Sequence, residues 1–148
     1  MNLKPKLYKY GCRLAAYSYV TGIPEETLVS LIGHDGSEVV RDAKEPRNRR
    51  AFHPQEFVDA LFPDWAIVTI DAGPHSDNYP IFSETKCWSR FKKYLDNYNG
   101  VLEGHSMGNS RSYHSLAVID GRVYDPDTGE ETSIDSFMCF EFYIVLKR

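Results

Sequence analysis

The sequence predicts an α+β fold in which N-terminal helices, one of them central and buried, pack on a C-terminal antiparallel β-sheet. Three observations predict it. Capped segments of helical length fill the first half, from about Cys12 to Phe62, and alternating apolar runs fill much of the second. Between two of those runs lies Asp120-Gly121, the dipeptide favoured in a two-residue type I′ hairpin turn because both central positions need φ > 0. The 148 residues, 42% hydrophobic and 26% charged, read as one domain spanning 1–148. A chain of that length buries roughly two-thirds of its unfolded surface without staples. No repeat, low-complexity stretch or linker divides it.

The elements follow in order. Cys12 to Val20 is apolar on nearly every side and breaks at Thr21-Gly22, which predicts a buried helix with Gly22 as its C-terminal glycine. Pro24 to Gly33 is a second short helix, with proline in its first turn and acids at its positive end. His34 to Ser37 turns the chain into a basic loop, where Arg41, Lys44, Arg47, Arg49 and Arg50 read either as a solvated face or as a dock for an acidic ligand. His53 to Phe62 is a third helix, started at His53-Pro54, stopped by Pro63 and carrying Phe57, Val58 and Leu61 as its buried stripe. Trp65 to Asp71 is a β-branched strand, and Ala72 to Ile81 a surface loop. Ser83 caps a helix running to about Asn97, with Cys87 or Trp88, Phe91, Leu95 and Tyr98 on one face. Gly100 to Gly104 is a short strand and His105 to Ser112 a polar loop. In the last strand, Cys139 to Leu146, period two sets Phe140, Phe142, Ile144 and Leu146 on one face and Glu141, Tyr143 and Val145 on the other.

The hairpin Tyr113 to Pro126 carries chemistry. With Asp120-Gly121 as its loop, Ile119 pairs with Arg122, and counting back sets Leu116 opposite Asp125 and His114 opposite Asp127. His114, Leu116, Asp125 and Asp127 then share a face, with Asp125 the diagonal neighbour of His114 at roughly 7–8 Å between backbones. Pro126 interrupts the ladder, which favours Asp125 as the partner of His114; Asp127 stays open as the alternative. A histidine oriented by a carboxylate is half of a nucleophilic triad. Cys12 is the candidate nucleophile, since the first turn of a helix carries partial positive charge. Such a setting, with an imidazolium nearby, lowers a thiol pKa from about 8.5 into the range of roughly 3.5–7.5. Gly11 before it leaves room for a substrate backbone.

A cysteine opening a buried helix near the N-terminus, followed by Thr21-Gly22-Ile23-Pro24 and a second helix, resembles the papain-like cysteine peptidases, as does the late hairpin. The likeness is nearest to small bacterial and phage members built like bacteriocin leader-peptidase domains, and spans about Cys12 to Asp125. It implies a papain-like fold and a peptidase or amidase with Cys12 as nucleophile, His114 as base and Asp125 holding the imidazole. One departure stands out. The family places a glutamine a few residues before the nucleophile to donate to the oxyanion, whereas the single glutamine here is Gln55. Asn2, Lys6, Tyr8 or Tyr10 would have to donate instead, beside the Cys12 N–H; loss of one such donor costs about 10²–10³ in rate. The segment containing His105, Ser106, Ser112 and Tyr113 would clamp substrate at the cleft.

Other readings remain at this stage. A catalytically silent binding module on the same fold would grip a peptide or protein tail, and an acyltransferase of transglutaminase type would use the same triad. A peptide or protein is the expected partner. The net charge of −4 argues against nucleic acid, and no segment has the apolar length of a membrane span or a secretory signal. Cys12, Cys87 and Cys139 form neither a disulfide framework nor a zinc motif, which suits a reducing, cytoplasmic setting. No cofactor is implied. His34, at a helix end, His53 and His105 lack metal-binding spacing with His114, so no metal is expected.

Overall fold

The computed structural model describes residues 3–38, 40–41, 48–49, 51–72, 88–106 and 113–148. Its helical half follows the capping signals. Helix α1 (Cys12–Thr21) ends at Gly22, whose φ of +77° lets its N–H close on the Ser18 carbonyl. Helix α2 (Glu25–Ile32) begins after Pro24 and stops at Gly33. Helix α3 (Pro54–Leu61) opens on a reciprocal cap: His53 Nδ1 accepts the Gln55 N–H at 3.1 Å, and the Glu56 carboxylate accepts the His53 N–H at 3.4 Å. Glu56 also lies 2.6 Å from His34 Nε2, so His34 is bound to the start of α3 and stacked on Phe52 rather than left at the end of α2.

Strands β1 (Val40–Arg41) and β2 (Asn48–Arg49) form a small antiparallel pair inside the basic segment read as loop. Lys44, Arg47 and Arg50 lie outside the described residues. Strand β3 (Trp65–Asp71) and helix α4 (Trp88–Asn97) follow, then β4 (Gly100–Ser106), β5 (Tyr113–Ile119), β6 (Arg122–Asp125), β7 (Glu130–Glu131), a 3₁₀ turn (Ile134–Ser136) and β8 (Phe137–Lys147). Six of the strands make one antiparallel sheet in the order β3-β8-β4-β5-β6-β7. The architecture is α+β. The β5–β6 turn has Asp120 at φ +52° and Gly121 at φ +79°, and its register pairs Ile119 with Arg122 and Ala117 with Tyr124.

Each face of the sheet has its own core. Leu14, Ala16 and Tyr17 of α1, Leu28 of α2 and Phe57 and Leu61 of α3 pack with Val101, Ala117, Ile119, Tyr124 and Val145. Phe91 and Leu95 of α4 pack with Leu102, Leu116, Val118, Phe142 and Ile144. Val58 is only half-buried, and Tyr98, beyond the end of α4, is exposed. Ser83 and Cys87 lie outside the described residues.

Strand β8 departs from simple alternation. Glu103 pairs with Glu141 but Gly104 pairs with Cys139, so Phe140 is the extra residue of a β-bulge. Beyond it, Phe137 and Cys139 join the face of Phe142 and Ile144, while Phe140 turns to the rings of His105 (4.9 Å) and Tyr113 (6.3 Å). Leu146 is exposed. His105 and Ser106 belong to β4 rather than to a loop, because β8 continues to pair alongside them. No helix among the described residues is long and apolar enough to cross a membrane.

Glycine is required at the bulge: a Cβ on Gly104 would fall 2.0 Å from the Met138 carbonyl oxygen. Gly104→Ala is therefore expected to destabilise the fold by more than about 2 kcal/mol, read as a lower urea midpoint. An unchanged midpoint would contradict the bulge geometry.

Candidate active site

Helix α1 delivers Cys12 to the start of β5. Gly11, the N-cap residue, offers no side chain to the first turn, so its N–H groups stay available to a developing negative charge. The space left by the missing Gly11 side chain is occupied by Tyr8 rather than left open, since a Cβ there would meet Tyr8 Cβ at 3.0 Å. Cys12 is half-buried beside the His114 side chain and the Ser115 backbone N–H, both of which favour its thiolate. Burial pushes the thiol up and the Glu103 carboxylate adds to that. The hydrogen bond and positive charge of His114 outweigh both, and the Cys12 pKa is lowered.

His114 shares its strand face with Leu116 and Val118, and meets the ring of Phe137 edge-on at 6.4 Å. Its Nε2 lies 2.8 Å from Asp125 Oδ1, which leaves Nδ1 as the ring nitrogen for the sulfur. Burial works against the imidazolium, but the hydrogen bonds and charges of Asp125 and Cys12 reverse this and raise His114 to about 10. Asp125 Oδ1 also accepts the Asp127 N–H at 2.9 Å, so the same oxygen closes the turn and orients the imidazole. Burial raises the Asp125 pKa, and those two hydrogen bonds bring it below the ordinary carboxylate value. Asp127 stands 3.9 Å from His114 Nε2 and forms an ion pair with Lys6 at 2.7 Å. His114, Asp125 and Asp127 bring ligand-type atoms within 4.8 Å of one another, and Lys6 pairs with the outermost of them, Asp127.

The oxyanion candidates separate. Lys6 is drawn onto the β6–β7 connection, where its N–H bonds the Pro126 carbonyl at 2.7 Å and its ammonium bonds Asp127, so it is not directed to the first turn of α1. Tyr10 is half-buried just before Gly11, with the Lys9 ammonium 5.5 Å from its ring centroid. Asn2 lies outside the described residues, as does Ser112; the side chain of Ser106 is likewise not described. His105 and Tyr113 oppose each other across β4 and β5, with ring centroids 4.7 Å apart.

Three residues in the neighbourhood have no counterpart among the sequence candidates. Arg13 Nε and Nη2 donate to the two oxygens of Glu103 at 2.7 and 2.9 Å, and Arg13 Nη1 donates to the Phe52 carbonyl. Ser115 Oγ donates to the same carboxylate at 2.8 Å. A lone arginine in an apolar helix and a lone glutamate in Gly100-Val101-Leu102-Glu103-Gly104 were the available signals. Removing one partner of such a buried pair costs about 3–5 kcal/mol. Comparison of the chain with family models, with curated proteins and with solved structures finds no match.

Cys139 provides an internal contrast. It lies in the core beneath α4, where burial holds its thiol far above the ordinary range. Iodoacetamide near neutral pH is expected to alkylate Cys12 at least about tenfold faster than Cys139, and His114→Ala to slow the labelling of Cys12. Equal labelling of the two cysteines in the native protein would remove Cys12 as an activated thiol.

Proposed function

We propose that this chain is a cysteine-dependent hydrolase of papain-like architecture, a peptidase or amidase acting on a peptide or protein substrate. One observation carries the reading: a sulfur at a helix N-terminus stands beside an imidazole whose Nε2 lies 2.8 Å from a carboxylate. That is the arrangement nucleophilic acyl chemistry needs.

In this mechanism the Cys12 thiolate attacks the carbonyl carbon, and the negative charge moving to the carbonyl oxygen is met by N–H groups of the first turn of α1. His114 then gives its proton to the leaving amine as the carbon–nitrogen bond breaks, leaving a thioester on Cys12. Water attacks the thioester while His114 takes its proton; the acid leaves, and sulfur and imidazolium are restored. Asp125 fixes the ring and stabilises its charged form. The reading sets the protein in a reducing, cytoplasmic environment, where a free thiolate persists.

The commitment of Lys6 to Asp127 favours a second reading, a binding module that holds a peptide tail without cleaving it. Transfer of the acyl group to an amine in place of water is a third outcome of the same triad. A screen of fluorogenic peptide amides separates the first two: hydrolysis that vanishes in Cys12→Ala supports the enzyme, and hydrolysis that survives it removes the assignment. Added amines that divert product from acid to amide identify transfer.

The pH dependence has a definite sign. The lowered thiol pKa supplies thiolate on its alkaline side, and the raised His114 pKa keeps the imidazolium on its acid side up to about 10, so activity should form a plateau through neutral pH. Asp125→Asn should reduce kcat by about 10²-fold or more, whereas Asp127→Asn, further from the ring, should cost less than about fivefold. The reverse order would make Asp127 the orienting group.

A further inference from the structure

Arg13 directly follows the candidate nucleophile, and Ser115 directly follows the candidate base. Both end on one carboxylate, that of Glu103 on β4, which is 5% exposed. Three elements therefore converge there: α1 through a two-toothed guanidinium contact, β5 through a hydroxyl, and β4 through the glutamate itself. Ser115 bonds Glu103 through its hydroxyl, and its backbone N–H favours the Cys12 thiolate. A buried ion pair of this kind is often no more stabilising than apolar residues of the same volume. What it supplies is directional: a planar fork on a carboxylate tolerates little rotation or sliding.

We infer that Arg13, Glu103 and Ser115 are positioning residues that hold Cys12 beside His114 by clamping the residue after each onto one carboxylate. The inference rests on the Cys12–His114 pair of the proposed function and adds a cause for it. The ionisable groups around Glu103 are Arg13 and Tyr17 of α1, Cys12 at its start, and Tyr143 and Cys139 of β8, and Glu141 of β8 pairs with it across the sheet. Arg13 is the cation among them, so it also limits the repulsion that Glu103 exerts on the thiolate.

The test measures Cys12 alkylation by iodoacetamide across pH in the full chain, a readout of the thiolate that needs no substrate. Ser115→Ala should slow labelling near neutral pH by roughly tenfold and move the profile to higher pH, because the sulfur loses its fixed relation to the imidazole; a full 1 Å misplacement costs about 10²-fold in well-aligned reactions. Ser115→Thr, which keeps the hydroxyl, should restore the native profile. Glu103→Asp, retaining charge but withdrawing the carboxylate by one methylene, should act like Ser115→Ala. Far-UV circular dichroism and a thermal melt establish that each variant is folded, and should Glu103→Asp fail to fold, the two Ser115 variants decide alone. A folded Ser115→Ala protein with the native rate and profile overturns the inference, provided His114→Ala shifts the same profile. If His114→Ala shifts nothing, the pair itself is absent and both the function and the clamp fall.

Discussion

The N-terminus of α1 abuts the start of β5, and a buried guanidinium–carboxylate contact between Arg13 and Glu103 spans the space between helix and sheet. Neither partner of that contact is tolerable alone in an apolar surrounding. The helix therefore has one rotational setting about its axis in which Arg13 meets Glu103 while Leu14 and Tyr17 enter the core. In that setting the preceding residue, Cys12, faces His114. Hydrophobic burial decides that α1 lies on the sheet, and the ion pair decides how far it slides and turns there.

The sheet contributes through register. Asp120 and Gly121 both take positive φ, and the tight turn fixes which residues of β5 and β6 share a face. Because side chains alternate, His114 and Asp125 come to one side, close enough for a 2.8 Å contact. The turn after β6 completes the arrangement: Asp125 Oδ1 takes the Asp127 N–H, and the Asp125 carbonyl takes the Gly129 N–H at 2.7 Å. Sulfur, imidazole and carboxylate thus come from a helix end, a strand start and a strand end, each fixed by its own local chemistry.

Much of this was legible in the chain because the signals were local. Glycines ended α1 and α2, a His-Pro pair opened α3, and the Asp-Gly turn gave the hairpin register by counting. The non-local features were not legible. The bulge at Phe140 arises from how β8 pairs with β4 on either side of Gly104, and it moved Phe137 and Cys139 onto the face assigned to Phe140. The extension of β4 through His105 and Ser106 likewise depends on a partner strand, not on the polar sequence of that segment. Lys6 was legible as a cation near Cys12 in sequence. Its commitment to Asp127 depends on the N-terminal segment lying along the β6–β7 connection, which no local pattern encodes.

The alternation of the β5–β6 hairpin limits how this part of the protein tolerates length change. An insertion or deletion of one residue between His114 and Asp125 would rotate one of them to the opposite surface of the sheet, however conservative the added or lost residue. Homologues that vary in length here would have to do so by two residues at a time, or by an odd residue absorbed in a compensating bulge. The spacing of eleven positions between imidazole and carboxylate is thus the quantity to follow through sequence divergence, ahead of the identity of the residues between them.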